Sequence, residues 1–176
     1  MNCEAIDGVN CQLSIVNCQL NKVALFPGTF DPFTLGHLSI VERGLRLADE
    51  IIIAIGVNSE KKSFFSLEQR IEMISRLFEL NPKIKVRSYK GLTVDFAKEA
   101  GAKFILRGVR SVNDFEYEKN IADINRKIAG IETVVLFTEQ EYAYISSSFV
   151  RELLTYGKSV ADFVPENLNI DKYKKI

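Results

Sequence analysis

From Lys22 onward the chain repeats one hydropathy unit: a short β-branched or apolar run, a glycine-containing turn, then apolar residues at helical spacing. The apolar runs predict strands over residues 23–26, 51–57, 84–88, 104–107 and 133–137. The helical spacing predicts helices over residues 36–48, 67–80, 93–100, 113–129 and 147–156, and one more over 166–175 after Val164-Pro165. Local signals agree. Ser66-Leu67-Glu68-Gln69 reads as a capping box, and Gly101, Gly130 and Gly157 stand where helix C-termini favour a left-handed residue. Strands alternating with helices imply parallel pairing through right-handed crossovers. The predicted class is α/β: a doubly wound, Rossmann-like five-stranded parallel sheet with helices on both faces and a C-terminal helix. Ligands of such sheets sit beyond the carboxyl ends of the strands, so the residues that follow each strand are the ones to search for chemistry.

Residues 1–21 break the pattern. Asn-Cys recurs at 2–3, 10–11 and 17–18, and Asn-Cys-Gln-Leu appears at 10–13 and 17–20, with no capping or turn logic. The expectation is a disordered extension or a start codon placed too far upstream, with a regulatory tail as the other reading. All three cysteines fall here, so the rest of the chain was built for no disulfides, which fits a reducing, cytoplasmic compartment. No basic residue precedes Lys22, so a secretory start is not expected, and the longest apolar run, 51–57, is strand length and far short of a bilayer.

Charge and composition narrow the function. Lys+Arg and Asp+Glu number 23 each among 176 residues, which argues against a protein that coats nucleic acid or an anionic membrane. A single histidine, His37, excludes a metal site built from several histidines, and the cysteine spacings match no zinc pair. No Gly-x-Gly and no Gly-x-x-x-x-Gly-Lys occurs, so neither the dinucleotide fingerprint nor the P-loop is present. Phosphates bound here would be held by another device.

The segments after the strands supply one. Residues 27–37, Pro-Gly-Thr-Phe-Asp-Pro-Phe-Thr-Leu-Gly-His, form a rigid loop that opens a helix. A helix N-terminus attracts anions, and Gly36 lets a ligand approach the backbone there. His37 either donates to a phosphate oxygen or merely caps and packs. Lys61 and Lys62 follow the second strand, as a phosphate contact or as plain surface. Gly91-Leu92-Thr93 follows the third, offering backbone N–H groups and a hydroxyl. Arg107-Gly108-Val109-Arg110 closes the fourth; its guanidinium groups fork onto phosphates or form salt bridges with Asp114, Glu116 or Glu118, two readings of equal weight. Tyr142 to Ser148 opens another helix with three serines. Together Thr29, His37, Lys61, Arg107, Arg110 and the serines converge on one rim with four potential cations. That composition suits polyphosphate chemistry, in which the protein aligns groups and stabilises charge without a covalent intermediate.

These motifs also resemble a known family. Pro27-Gly28-Thr29-Phe30-Asp31-Pro32 with Thr34-Leu35-Gly36-His37, then Arg107-Gly108-Val109-Arg110 with Asp114-Phe115-Glu116-Tyr117-Glu118, then Ile145-Ser146-Ser147-Ser148, are similar to the bacterial phosphopantetheine adenylyltransferases. The resemblance runs from about Lys22 to the C-terminal helix and implies a single domain over 22–176. Thr34, where the wider nucleotidyltransferase superfamily places a first histidine, points to this branch. The resemblance implies adenylyl transfer from ATP to 4′-phosphopantetheine, giving 3′-dephospho-coenzyme A and pyrophosphate with Mg²⁺ carried by the ATP phosphates and not by protein side chains. It further implies His37 as transition-state stabiliser, with Lys61 and Arg110 also catalytic. Thr29, Lys61, Thr93 and Arg107 would hold phosphopantetheine. Thr29, Phe30, His37, Gly108, Val109, Arg110, Glu118, Tyr142, Ala143, Tyr144, Ile145, Ser146, Ser147 and Ser148 would hold ATP. Some relatives carry tryptophan at position 142; tyrosine keeps an aromatic face. A homohexamer and feedback binding of coenzyme A are implied as well, and neither nucleic acid nor membrane is an expected partner. The competing readings are a related transferase with another phosphate acceptor and a non-catalytic nucleotide-binding module.

Overall fold

Five strands, β1 (Val23–Gly28), β2 (Glu50–Gly56), β3 (Ile84–Tyr89), β4 (Phe104–Val109) and β5 (Glu132–Phe137), pair in parallel in the order β3-β2-β1-β4-β5 in the computed structural model, which describes residues 21–57 and 62–173. The chain first winds outward from β1 to β3 and then returns to the other side of β1. The strand order therefore reverses between β1 and β4, and a crevice opens beyond their carboxyl ends.

Side-chain alternation explains why β1 and β2 read as unbroken apolar runs. In β1, Ala24 and Phe26 enter the core on one face and Leu25 the core on the other. In β2, Ile51, Ile53 and Ile55 face the first core while Ile52 and Ala54 face the second. Both faces are covered, as a parallel sheet requires. The helices are α1 (Leu35–Gly44), α2 (Leu67–Leu77), α3 (Thr93–Glu99), α4 (Val112–Ala129) and α5 (Ser147–Thr155). α1, α2 and α5 fill the first core with Ile40, Val41, Met73, Ile74, Val150 and Leu154. α3 fills the second with Val94, Phe96 and Ala97. α4 buries only Glu118 and Asn125, and leaves Phe115, Tyr117, Ile124 and Ile128 exposed.

Two glycines set the height of α1 above the sheet. A Cβ at Gly44 would lie 2.5 Å from Leu106 Cδ2, and one at Gly108 would lie 2.8 Å from Ile40 Cγ1. Without those side chains the helix settles directly on β4, which brings its N-terminus to the crevice.

The capping box at Ser66 is present: Ser66 N–H donates to Gln69 Oε1 at 2.8 Å and Gln69 N–H to Ser66 Oγ at 3.2 Å. β1 and β4 each run two residues past their predicted ends, so Pro27, Gly28, Gly108 and Val109 belong to the sheet. α1 stops at Gly44, four residues early. The helix expected over 166–175 is instead two 3-10 turns, Glu166–Leu168 and Ile170–Tyr173, parted by Asn169 at φ 49°. Leu168, Ile170 and Tyr173 are all buried. Residues two apart point to opposite sides of a continuous helix, so the break at Asn169 is what lets Leu168 and Ile170 face one core. The expectation for the extension lies, up to residue 20, outside the described residues. Among the described residues no helix is long and apolar enough to cross a membrane.

We expect Gly108→Ala to lower unfolding stability by about 1–3 kcal/mol, the usual cost of overpacking, as read by urea denaturation. Wild-type stability would mean that α1 can lift from β4 without penalty.

Candidate active site

The loop between β1 and α1 is held from several sides. Phe30 adopts φ 49°, and its ring lies where a Cβ on Gly28 would sit, 2.7 Å from Phe30 Cζ. Asp31-Pro32 is a cis peptide. Ser147 Oγ donates to the Pro32 carbonyl at 2.8 Å, and Arg151 Nη1 donates to the Asp31 carbonyl at 2.6 Å. The Leu35 N–H, at the head of α1, donates to the Phe163 carbonyl at 3.0 Å. A Cβ on Gly36 would meet Thr34 Oγ1, Thr138 Cγ2 and Tyr142 Cβ only at ordinary contact, 3.8–3.9 Å. The protein's own packing does not demand glycine there, which fits a position kept open for a ligand.

His37 both caps the helix and faces the crevice. The Thr34 backbone N–H donates to His37 Nδ1 at 3.0 Å, and Thr34 Oγ1 lies 3.0 Å from the same nitrogen. The ring thus fills the place of the glutamate in a capping box. An Nδ1 that accepts a backbone N–H leaves the ring proton on Nε2 in the neutral form. The ring packs among Phe26, Phe30 and Phe33, with Phe30 edge-on at 5.1 Å between centroids. Burial, followed by the positive charges of Arg107 and Arg110, pushes its pKa down from 6.5 to about 4. The rim expected to carry four cations therefore holds His37 as a neutral donor.

Both arginines of β4 and its exit form ion pairs. Arg107 pairs in bidentate fashion with Glu118, through Nε to Oε2 at 2.7 Å and Nη2 to Oε1, while Nη1 donates to the Pro27 carbonyl at 2.6 Å. Arg110 Nε donates to Asp114 at 3.0 Å and Nη1 to the Ile145 carbonyl at 3.2 Å. The alternatives posed by the sequence are thus not exclusive, because each guanidinium keeps unspent N–H groups. Five donors less the three used leaves two on Arg107. Lys62 and Arg151 also line the crevice, and neither forms an ion pair with another described residue. Arg151 escaped the sequence reading, although it stands one helical turn after Ser147 and Ser148 and donates to Ser148 Oγ at 3.1 Å. That spacing was the available signal.

The crevice divides into two clefts. The first, of about 470 Å³, brings together Thr29, Phe30, His37, Gly108, Arg110, Glu118, Ile145 and Ser146 to Ser148 from the predicted set. The second, of about 630 Å³, holds Thr93 and Tyr89, whose hydroxyls lie 2.8 Å apart. Pro27, Gly28, Thr29, Arg107, Tyr117 and Glu118 border both, so these residues form the wall where the clefts meet. Val109 does not reach either cleft; its side chain is buried and its carbonyl accepts the Thr138 N–H at 2.7 Å. Tyr142, Ala143 and Tyr144 also lie off the two clefts, with Tyr142 beside Gly36 and Tyr144 turned against Phe163. Lys61 lies outside the described residues.

The carboxylates of the first cleft, Asp31, Asp114 and Glu118, are all engaged by protein donors. Among the described residues no three His, Cys, Asp or Glu side chains gather as a metal site. This donor set, rich in N–H and guanidinium, suits phosphate oxygens.

A strand-order reversal with a helix N-terminus, a neutral histidine and arginines at two adjoining clefts defines a nucleotide-handling α/β site. Residues 25–153 match the family model described as cytidylyltransferase-like. A solved structure of a bifunctional NMN adenylyltransferase/ADP ribose pyrophosphatase from Francisella tularensis shares the fold, with TM-score 0.62 at 16% identity over 82% of this chain. This chain spans 45% of that protein. Three proteins named phosphopantetheine adenylyltransferase are far more similar. The one from Bacteroides thetaiotaomicron is 60% identical over 85% of this chain and 99% of its own length. Those from Porphyromonas gingivalis and Flavobacterium johnsoniae are 51% and 52% identical, across 98% and 99% of their lengths. With identity of that order along nearly their full lengths, the chain belongs to the phosphopantetheine adenylyltransferase family.

The depressed pKa of His37 predicts a pH dependence of stability. Between pH 6.5 and about 4 the unfolded chain binds a proton at this ring that the folded chain does not. This contribution to stability is full above pH 6.5 and declines as pH falls, by up to about 1.4 kcal/mol per unit. We expect His37→Gln to lose stability less steeply than wild type between pH 6.5 and 4.5 in urea denaturation. Equal slopes would mean that the folded ring is already protonated.

Proposed function

We propose that the chain transfers the adenylyl group of ATP to 4′-phosphopantetheine, yielding 3′-dephospho-coenzyme A and pyrophosphate. The observation that carries this reading is the pair of clefts that meet along a wall containing Thr29 and Arg107. Two substrates seated on either side of one wall suit direct transfer, and family membership supports the choice of both. A phosphate oxygen of the acceptor attacks the α-phosphorus of ATP in line; that P–O bond forms as the bond to the β-phosphate bridge oxygen breaks, and pyrophosphate leaves with the electron pair. No enzyme-bound intermediate is required.

In this reading the first cleft takes ATP. His37 Nε2–H donates to the α-phosphate, where charge builds as the bond changes hands, and its neutrality spares it a competing counterion. Arg110, Lys62 and Arg151, with the Ser146–Ser148 turn, hold the outgoing phosphates; the resemblance assigns Lys61 to the phosphopantetheine side. The second cleft takes the pantetheine arm, with Thr93 near it, and Arg107 and Thr29 at the wall grip its phosphate. Mg²⁺ carried by the ATP phosphates would offset their charge, with Arg110, Lys62 and Arg151 supplying the protein's own share. Coenzyme A, which shares the acceptor's arm, competes for the second cleft. The apolar side chains that α4 and β5 leave exposed, among them Phe115, Ile128 and Phe137, support assembly as a homohexamer. The cytoplasm is the compartment this reading assigns.

Pyrophosphate release from ATP should proceed with phosphopantetheine and not with nicotinamide mononucleotide or glycerol phosphate; turnover with either of those would overturn the acceptor. His37→Ala should fold and lose about 10²–10³ in kcat, the usual toll for one transition-state donor. Arg107→Ala should raise the KM for phosphopantetheine; a rise confined to the ATP KM would reverse the allotment of the clefts. Chelation should stop turnover without moving the Tm of the unliganded chain, and a lower Tm would reveal an ion held by the protein.

A further inference from the structure

Two buried charges beside the first cleft take no part in the chemistry above. Asp31 is 4% exposed and Arg70 is 5% exposed, yet neither completes an ordinary ion pair with the other. The Asp31 carboxylate accepts the backbone N–H of Phe64 at 2.7 Å and of Phe65 at 2.9 Å. Arg70 sends Nη1 to the Thr29 carbonyl at 2.7 Å and Nε to the Ser66 carbonyl at 3.3 Å. The exchange is reciprocal. The loop after β1 holds the backbone of the segment before α2 through Asp31, and α2 holds that loop through Arg70. Each tethered segment presents a polar side chain to the first cleft, Thr29 from one and Lys62 from the other. Phe65, 1% exposed, anchors the second segment in the core.

We propose that Asp31 and Arg70 are positioning residues that fix Thr29 and Lys62 relative to each other, so that the two grips on the substrate phosphates act as one unit. The proposal rests on the adenylyl-transfer reading and adds the device that aligns its phosphate contacts. Charged groups suit this task because their hydrogen bonds to backbone are the short, directional ones. A carboxylate offers two oxygens to two N–H groups, whereas an amide in its place turns an NH₂ toward one of them.

The test uses the full chain with ATP and phosphopantetheine, and measures pyrophosphate release for Asp31→Asn, Lys62→Ala and the double variant. Asp31→Asn should lower kcat about tenfold with both KM values within about threefold of wild type. Lys62→Ala should cost at least threefold less in that background than in wild type, because a displaced lysine has less to lose. Costs that multiply within about twofold would overturn the proposal, as would a kcat loss no larger than the loss of folded protein in a thermal melt. Should Asp31→Asn not fold, Arg70→Lys decides: it keeps the charge but not the paired donors, so it should fold with lowered kcat at unchanged KM, and wild-type kcat would overturn the clamp. Failure of the adenylyl-transfer reading is distinct, since wild type itself would then release no pyrophosphate, and the clamp would fall with it.

Discussion

The hydrogen bond from the Thr34 amide to Nδ1 of His37 joins the fold to its chemistry. Helix α1 must begin at the strand-order reversal, and something must satisfy its first N–H groups. A glutamate at His37 would do so and place an anion where phosphates are to bind. An imidazole caps through one nitrogen and keeps the other as a neutral donor. The bond also selects the tautomer, and the phenylalanines around the ring, with Arg107 and Arg110, hold it uncharged. The capping role and the proposed ligand role, which looked like rivals in the sequence, need different nitrogens of one ring and so do not compete.

The rest of the crevice follows from placing α1 there. Gly44 and Gly108 let the helix rest on β4, so β4 carries Arg107 to the same edge as the α1 N-terminus. Arginines crowded beside a helix N-terminus repel one another and the helix dipole. Glu118 and Asp114 from α4 relieve this. A fully bidentate Arg107–Glu118 pair orients the guanidinium yet leaves donors over, which is how a cation can be both held and available. A balanced net charge for the whole chain is thus compatible with arginines gathered at one crevice.

Much of this was legible in the residues themselves. β1 and β2 read as continuous apolar runs because both their faces are buried, and the caps at Ser66 and Gly130 appeared where predicted. Thr29, His37, Arg107, Arg110 and the serines could be found because a strand end fixes its neighbours to one edge. The clamp of Arg70 and Asp31 could not be found: the cross-ties that make it run to backbone atoms about 30 to 40 residues away, and no local pattern marks such an atom as a target. Arg151 lay within reach of helical spacing but reads as an ordinary exposed helix arginine. The C-terminal turns were misread because a left-handed Asn169 reverses which residues face the core, and helical periodicity assumes that no such break occurs.

The two clefts show why a fold without a glycine-rich phosphate loop can serve polyphosphates. A P-loop wraps backbone N–H groups around one ligand and binds it by itself. Here the donors belong to separate elements: a helix start, a strand end, the α5 turn and the segment before α2. Each is pinned to another by a hydrogen bond to backbone, as Ser147 is to Pro32, Arg151 to Asp31, Arg110 to Ile145 and Arg70 to Thr29. Such cross-ties place donors in advance and reduce the reorganisation needed when charge moves, which is the main source of rate in a transfer that forms no covalent intermediate. They also set Thr29 and Arg107 on a wall that both clefts share. A donor on that wall touches both partners at the point of exchange, so in the proposed reaction its position governs how closely attacking oxygen and phosphorus approach. Alignment across the wall, more than affinity within either cleft, is then what this arrangement of cross-ties secures.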